Sequence, residues 1–213
     1  MYEQPEMIKY IRDLNNKPSL LFLEMEKFAE NNNVPIIETE ALDVMLQILH
    51  IHNSKRILEI GTAIGYSALR IANDSPERKV ISLEKDKERY ETALNFRSKS
   101  KLKSQTTFVH VDALDETFSL EDRSPFDVLF IDASKGKYEE FFIKYTPCLK
   151  HKGLVITDNV FFKGLAAKPE DAPRRIRSMV RKIHSYNKWL ADHPSFSTKF
   201  LAVGDGLAVS QKI

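Results

Sequence analysis

Acidic and amide side chains follow two apolar segments of the chain, at positions where they could hold a metal ion. Asp132 follows Phe-Asp-Val-Leu-Phe-Ile, and the pair Asp158-Asn159 follows Gly-Leu-Val-Ile-Thr. Both segments are typical of central strands, so their ends could lie side by side. Two carboxylates and one amide oxygen are hard ligands that suit Mg²⁺ better than zinc, and Mn²⁺ or Ca²⁺ would accept the same set. The alternative is an Asp-Asn turn that binds no metal.

A lysine follows the first of these acids by three residues, in Asp132-Ala-Ser-Lys135. A lysine at an arbitrary position is usually a solvated surface residue. Close to a metal ion and a second cation, however, its ammonium form would be disfavoured and its pKa lowered. Lys135 is therefore a candidate general base, able to take a proton from a hydroxyl group held at the metal.

A glycine-bearing turn in residues 57–67 has the features of a nucleoside site. The segment Ile-Leu-Glu-Ile-Gly-Thr-Ala-Ile-Gly-Tyr-Ser runs from a strand through Gly61 and Gly65 into a helix. Its spacing, Glu-x-Gly-x-x-x-Gly, differs from the glycine patterns of dinucleotide sites and phosphate loops. The carboxylate of Glu59 would repel a phosphate and attract a cation. The predicted ligand is the cationic nucleoside S-adenosylmethionine.

A second acid stands where a nucleoside needs it. Glu84 ends the next predicted strand, 23 residues after Gly61, and an acid at about this distance can accept both ribose hydroxyls. The alternative is that Glu84 caps the following helix. Asp112 follows the third strand, so each of the first five predicted strands has an acid at or near its carboxyl end, where open parallel sheets bind ligands.

The elements that position these residues alternate between strand and helix, which predicts an α/β fold with a mostly parallel sheet. The turn Gly204-Asp-Gly206 predicts a C-terminal antiparallel hairpin, and the whole is the Rossmann-like, seven-stranded arrangement of class I methyltransferases. We expect one domain over 1–213, with N-terminal helices in 1–52 and the cofactor-binding core in 53–213. The predicted helices are 6–14, 19–31, 39–51, 65–73, 86–98 and 137–148, with a helical turn at 113–120; the predicted strands are 56–60, 79–84, 106–111, 126–131, 153–157, 197–203 and 207–212.

Taken together, these motifs resemble those of the cation-dependent O-methyltransferases related to catechol and caffeoyl-CoA O-methyltransferases. The matching pieces cover most of the chain after residue 35. The resemblance implies that Asp132, Asp158 and Asn159 bind the metal and that Lys135 is the base, with Asp132 sharing the catalytic centre. It also implies a set of residues around S-adenosylmethionine: Ile37 and Glu38 near its methionine end, and Glu59, Gly61, Ser67, Glu84, Asp112, Ala113 and Asp132.

The most uneven charge in the chain lies after the Asp-Asn pair. Residues 173–190 contain six Lys or Arg and no acid, on a predicted basic helical insertion. Arg177, Arg181, His184 and Lys188 recur at helical spacing. The stripe could be a solvated helix face, or it could contact RNA phosphates, since local basic charge supplies phosphate affinity. Arg174, Arg177, Arg181 and Lys188 are the predicted RNA contacts.

The segment after Asp158-Asn159 also resembles that of one branch of the family, the bacterial tRNA 5-hydroxyuridine methyltransferases. The resemblance implies methylation of 5-hydroxyuridine to 5-methoxyuridine at the wobble position, with the tRNA anticodon loop as partner. A chelating O-methyltransferase needs two adjacent oxygens, and 5-hydroxyuridine offers its 5-hydroxyl and 4-carbonyl. The alternative is a small-molecule enzyme acting on catechol-like or caffeoyl-CoA-like hydroxyls, for which the basic helix only aids solubility. A non-catalytic nucleotide-binding module is a third reading, which Lys135 beside a full metal triad disfavours.

Composition sets further bounds. The chain has 213 residues and a net charge of +2, with 32 basic and 30 acidic residues, so it carries no overall polyelectrolyte character. Its one cysteine, Cys148, excludes an internal disulfide and suits a reducing, cytoplasmic location. No segment approaches the length of an apolar membrane span. The amphipathic N-terminal helices and the family resemblance predict a homodimer.

Overall fold

In the computed structural model, residues 5–15 and 18–213 are described; residues 1–4 and 16–17, part of the predicted N-terminal helical region, lie outside the described residues. Seven strands and seven α-helices are joined by loops and short 3₁₀ turns. The helices are α1 (Pro5–Leu14), α2 (Leu20–Asn32), α3 (Thr39–Ile51), α4 (Tyr66–Asp74), α5 (Lys87–Lys99), α6 (Tyr138–Tyr145) and α7 (Arg177–Ala191). The strands are β1 (Arg56–Ile60), β2 (Lys79–Glu84), β3 (Thr106–His110), β4 (Phe126–Ile131), β5 (Leu149–Thr157), β6 (Phe196–Leu201) and β7 (Leu207–Lys212).

All seven strands belong to one sheet, in the order β3-β2-β1-β4-β5-β7-β6. The first five run parallel, and β7 pairs antiparallel with both β5 and β6. The Rossmann-like sheet with a C-terminal antiparallel hairpin, predicted from the sequence, is therefore confirmed. In the ladders, Ile60 pairs with Ile131 and Ile131 with Thr157, so β1, β4 and β5 end at the same level.

Both faces of the sheet are covered, as the fully buried strand β4 illustrates. Its side chains alternate between the two faces, as they must in any strand. Val128 and Phe130 pack in a core formed with α2, α3, α4 and α5. Leu129 and Ile131 pack on the opposite side in a core formed with α6 and α7. The continuous apolar character of this strand thus follows from its central place.

Three predicted elements differ most from the structure. The helical turn predicted at 113–120 is a pair of Asp-capped turns, because Asp112 and Asp115 accept backbone N–H groups of Leu114 and Thr117 (2.9 and 2.8 Å). Strand β5 begins at residue 149, four residues before its predicted start. Its pairing with β4 shifts in register within this first part of the strand. Helix α7 begins at Arg177 instead of 173, because residues 173–176 form a separate turn.

An apolar stripe is exposed on α1. Met7, Tyr10, Ile11 and Leu14 are between 39% and 66% exposed and share one helix face. The opposite side is anchored, since Arg12 forms an ion pair with Glu40 of α3. This stripe agrees with the predicted homodimer, which stays a prediction. Within the described part of the chain, no helix is both long enough and apolar enough to cross a membrane.

The turn after β1 passes so close to the chain after β4 that only glycine fits. Gly61 has a φ of +104°, and a Cβ atom placed there would lie 2.0 Å from the backbone oxygen of Asp132. The Gly61 N–H in turn donates to the oxygen of Leu83 at 2.9 Å, which ties the turn to β2. A side chain at this position would therefore have to displace backbone that also carries a predicted metal ligand.

We expect Gly61→Ala to lower the free energy of unfolding by roughly 3 kcal/mol or more, because strain and steric overlap act together. Gly164→Ala is the matched control, since Gly164 has a φ of +76° but nothing within 4 Å of its ideal Cβ. It should cost only about 1–2 kcal/mol. Urea unfolding of the two variants measures the difference, and equal losses would contradict the steric argument.

Candidate active site

The sheet brings the predicted metal ligands together at the carboxyl ends of β4 and β5. The Asp132 N–H donates to the Ile60 oxygen at 3.0 Å, and the Asp158 N–H donates to the Ile131 oxygen at 3.1 Å. Backbone pairing thus continues one residue past each strand and fixes the position of both acids. Asp158 is 2% exposed, whereas Asp132 faces a cavity.

Asn159 and Lys135 complete this group. Asn159 has a φ of +56°, a conformation that asparagine tolerates better than most residues. Its backbone N–H donates to Asp158 Oδ1 at 2.7 Å, and its side-chain Oδ1 accepts a hydrogen bond from Lys135 Nζ. The Tyr138 hydroxyl donates to the Asp158 backbone oxygen at 2.9 Å. The predicted triad and the predicted base are therefore adjacent.

Burial dominates the electrostatics of the group. Removal from water raises the pKa of Asp132 to about 6, an effect that the nearby Lys135 opposes. It also raises the pKa of Asp158 well above its usual value, with a further contribution from Asp132. Burial lowers the pKa of Lys135, against the attraction of Asp132, Asp158 and Asp205. The two acids hold a negative field that favours cations, and the lysine is biased towards its neutral form.

A cavity of about 410 Å³ opens beside the group. Lys135 and Asn159 stand on its wall together with five of the predicted cofactor residues, which are Gly61, Glu84, Asp112, Ala113 and Asp132. Four predicted cofactor residues are not on the wall: Ile37, Glu38, Glu59 and Ser67. In the segment that contains Ile37 and Glu38, Pro35 lines the cavity, whereas Ile37 is buried in the core.

Glu84 lies on the cavity wall with its carboxylate held in place. Oε2 accepts the Ala63 N–H at 2.8 Å, and Oε1 accepts the Asp86 N–H at 2.9 Å. The N-cap of α5 is Asp86, whose side chain accepts the Arg89 N–H at 2.9 Å. The alternative that Glu84 caps this helix is therefore wrong. A carboxylate held in this way on the cavity wall suits the predicted role of Glu84, which is to accept hydrogen bonds from the ribose hydroxyls.

Glu59 acts from behind the glycine turn. It is 0% exposed, and its two oxygens accept hydrogen bonds from the hydroxyls of Ser67 and Ser82. Ser82 is also bonded to the hydroxyl of Thr62 at 2.6 Å, which links the network to the turn itself. Because the side chains of Glu59 and Ser67 are engaged in this buried network, neither is placed to contact a ligand in the cavity. Instead, both support the glycine turn from behind.

Several wall residues were not predicted. Arg89 stands at the start of α5, Phe141 on α6 and Met179 on α7. Met179 lies on α7 beside the buried Val180, and no sequence signal separates it from its buried apolar neighbours. Lys137 also reaches this wall, two residues after the predicted base.

The predicted RNA contacts divide between two environments. Arg174, Arg177 and Arg181 line a second cavity of about 790 Å³, next to the first, and Lys135 and Lys137 belong to both walls. Lys188 is exposed and does not line either cavity. His184 also turns away, with Nδ1 2.8 Å from the Ala166 backbone oxygen.

The residues at the strand ends fit a hard divalent cation. In residues 5–15 and 18–213, no group of three or more His, Cys, Asp or Glu is arranged to hold a metal. The predicted metal site does not count as such a group, because only two of its three donors are carboxylates, from Asp132 and Asp158, and the third is the amide oxygen of Asn159. The charge of Asp132 further raises the pKa of the buried Asp158, which reflects the negative field at this point, and oxygen-only donors are those that Mg²⁺ and its hard relatives accept.

Comparison with known proteins agrees with this geometry. A sequence profile described as O-methyltransferase matches residues 15–213. The chain belongs to the O-methyltransferase family. A caffeoyl-CoA O-methyltransferase of Petroselinum crispum is 31% identical over 183 residues, which are 83% of this chain and 75% of that relative.

Solved structures of the O-methyltransferase family share the fold. One from Staphylococcus aureus, assigned provisionally as a caffeoyl-CoA O-methyltransferase, is 37% identical, with a TM-score of 0.89 over 98% of both chains. An O-methyltransferase from Bacillus cereus in complex with SAH is 23% identical, with a TM-score of 0.82 over 96% of both chains. In this O-methyltransferase chain, the strand-end acids and the cavity beside them are accordingly the candidate active site.

The buried network predicts a pH dependence of stability. Burial raises the pKa of Glu59 from 4.5 to about 7, so the folded protein holds a proton that the unfolded chain releases. This contribution to stability is complete below about pH 4.5 and is lost as pH rises through 7. Glu59→Gln cannot ionise, so its stability relative to wild type should rise by on the order of 3 kcal/mol across this range. Urea unfolding between pH 4.5 and 8 measures this, and parallel curves would contradict it.

Proposed function

We propose that this chain is an S-adenosylmethionine- and divalent-cation-dependent O-methyltransferase whose acceptor presents a hydroxyl group next to a second oxygen. One observation carries the proposal: Asp132, Asn159 and Lys135 line the same cavity as Gly61 and Glu84, and Asp158 lies next to them, with its Oδ1 accepting the Asn159 N–H. The SAH complex of the Bacillus cereus relative, which shares the fold, supports S-adenosylmethionine as the methyl donor.

The chain's own residues explain how a hydroxyl would be methylated. When bound, S-adenosylmethionine supplies the methyl group, and a divalent cation favours ionisation of the acceptor hydroxyl. Glu84 orients the nucleoside, and the Gly61 turn allows its close approach to the backbone. Lys135, whose pKa burial lowers, takes the hydroxyl proton at Nζ. The Phe162 ring, with its centroid 5.7 Å from Nζ, helps to keep water from the reacting oxygen.

At the family level, the relatives favour a small-molecule acceptor over tRNA. The Petroselinum crispum and Staphylococcus aureus proteins both have names that refer to caffeoyl-CoA. A catechol-like ring offers two adjacent oxygens, one to stay at the cation and one to accept the methyl group. The first candidate acceptor is therefore a catechol-like or caffeoyl-CoA-like hydroxyl.

The second candidate acceptor is 5-hydroxyuridine at the wobble position of tRNA, which would become 5-methoxyuridine. A specific observation favours it: the cavity next to Lys135 is lined by Arg174, Arg177 and Arg181. A single-stranded anticodon loop can present an unstacked base to such a site, with its phosphates outside the pocket. The 5-hydroxyl and 4-carbonyl of this base have the same adjacent-oxygen arrangement as a catechol.

The proposed metal site predicts that Asp158→Asn lowers turnover by at least about a hundredfold, since it removes one charged ligand. The affinity for S-adenosylmethionine should change little, because Asp158 does not line the cofactor cavity. Methyl transfer from labelled cofactor to a catechol acceptor and to 5-hydroxyuridine RNA, with and without EDTA and added Mg²⁺, measures the first effect, and titration calorimetry measures the second. Full activity of the variant, or of wild type in excess EDTA, would refute the metal-dependent reaction.

The proposed base predicts two different outcomes at Lys135. Lys135→Ala should lower kcat about a hundredfold or more near neutral pH and recover part of it as pH rises, when solvent can take the proton. Lys135→Arg keeps the charge and the N–H donors but does not deprotonate, so it should be as impaired as the alanine variant. The pH–rate profiles of the two variants decide the role. An active arginine variant would show that position 135 supplies positive charge and not a base.

A further inference from the structure

The larger cavity lies between the turn that carries Lys135 and the outer face of α7. Its volume is about 790 Å³. One side is formed by residues 135–140 and Ile143, and the other by Arg174, Arg177, Ser178, Arg181, Lys182, Ser185 and Tyr186. It joins the cofactor cavity at Lys135 and Lys137. A ligand that reacts at Lys135 can therefore extend into this basic groove, as we call the cavity lined by Arg174, Arg177, Arg181 and Lys182.

The positive charge of the basic groove is not neutralised by the protein. Within the described part of the chain, none of its four defining cations forms an ion pair with a carboxylate. Two glutamates also line the cavity, but Glu140 is already paired with Lys137, at 2.8 Å. By contrast, the partly or fully buried Arg70 and Arg78 both face aspartates. The four cations therefore outnumber the one remaining acid of the wall, Glu139, and such an excess of positive charge creates a potential that attracts an anion.

Helix α7 holds these cations in a fixed arrangement. Val180 and Ile183 are buried in the core, which fixes the rotation of the helix about its axis. Arg177 and Arg181 are one turn apart and therefore share a face of the helix. The Lys182 side chain extends to Gly136, where its Cδ and Nζ lie 3.4 and 3.8 Å from an ideal Cβ position. Its ammonium group thus stands beside the turn that carries the base.

The spread of the cations indicates what kind of anion fits. Arg177 and Lys182 are five residues apart on α7, a rise of about 7.5 Å, and Arg174 lies in the turn before the helix. One or two arginines suffice to hold a single phosphate or pyrophosphate by bidentate hydrogen bonds. Four cations distributed along a groove suit successive phosphates of a chain, and Ser178 and Ser185 on the same wall can donate further hydrogen bonds.

We infer that the basic groove binds the phosphodiester backbone of single-stranded RNA next to the nucleotide that is methylated at Lys135. This inference rests on the tRNA form of the proposed function. The turn 135–137, shared by the two cavities, places the acceptor base at the strand-end acids while the flanking phosphates lie against α7.

The test compares two variants that each remove two positive charges. Arg181→Gln/Lys182→Gln changes the groove; Arg175→Gln/Lys199→Gln changes exposed residues that line neither cavity. The probe is a fluorescent anticodon stem–loop RNA containing 5-hydroxyuridine, titrated at several salt concentrations. We expect the groove variant to bind on the order of tenfold more weakly at low salt and to reduce the slope of log K against log salt by roughly 1.4. The control variant should bind like wild type.

Methylation assays separate failure of this inference from failure of the proposed function. A catechol acceptor without phosphate should be methylated equally by wild type and both variants. Weaker RNA binding by the groove variant alone, with RNA methylation by wild type, supports the inference. If wild type binds RNA through the groove but methylates none, the tRNA function fails, and only the contact between the groove and RNA phosphates is supported. Equal RNA binding by the two variants overturns the inference. A higher KM for caffeoyl-CoA in the groove variant, with RNA binding unchanged, overturns it in favour of the phosphates of coenzyme A.

Discussion

Glu59, Asp132 and Asp158 lie at the carboxyl ends of three adjacent strands; Glu59 and Asp158 are buried, and Asp132 is half-buried at the cavity wall. A carboxylate in such a place needs a proton, a hydrogen-bond donor or a cation. Glu59 has two serine hydroxyls, and the pKa values of all three acids are raised. The charge of Lys135 opposes the rise in pKa of both aspartates, and its Nζ bonds to Asn159. The parallel register of β1, β4 and β5 thus gathers acids at one point of the sheet, where a cationic ligand would stabilise the ionised form of Asp132 and Asp158.

The loop after Asn159 brings the Phe162 ring near Lys135, and the C-terminal hairpin holds that loop in place. The backbone N–H groups of Val160 and Phe161 donate to the Gly206 and Asp205 oxygens at 3.1 and 3.0 Å. Gly206, at a φ of +91°, must be glycine, because a Cβ there would lie 2.4 Å from the Phe161 ring. Phe162 and the following residue also have positive φ values, which the hairpin contacts maintain. An antiparallel hairpin remote in sequence therefore positions the Phe162 ring beside the base.

Much of the sheet and the metal group could be predicted because each rests on local sequence. An apolar run followed by Asp or Asp-Asn identifies both the strand and the position of its polar end, and the β4 bounds were correct to the residue. Glu59 was harder, because the same Glu-x-Gly spacing serves an acid that faces the ligand or one that lies beneath the turn. The choice depends on Ser82, a residue of the neighbouring strand. The start of α7 was also missed, since the helical charge pattern continues through the turn at residues 173–176.

Helix α7 links the chemistry of the two cavities, because its faces reach different places. Val180 and Ile183 fasten it to the sheet, Met179 enters the cofactor cavity, and Arg177 and Arg181 line the basic groove. The helix is well packed and carries no glycine or proline within its bounds, so its position relative to the strand ends is determined by the core. An anion in the groove would stand close enough to Lys135 to favour its ammonium form, whereas a cation at the aspartates would oppose it. The proton affinity of Lys135 would therefore depend on the ligands in both cavities, and not on the ligand in one cavity alone.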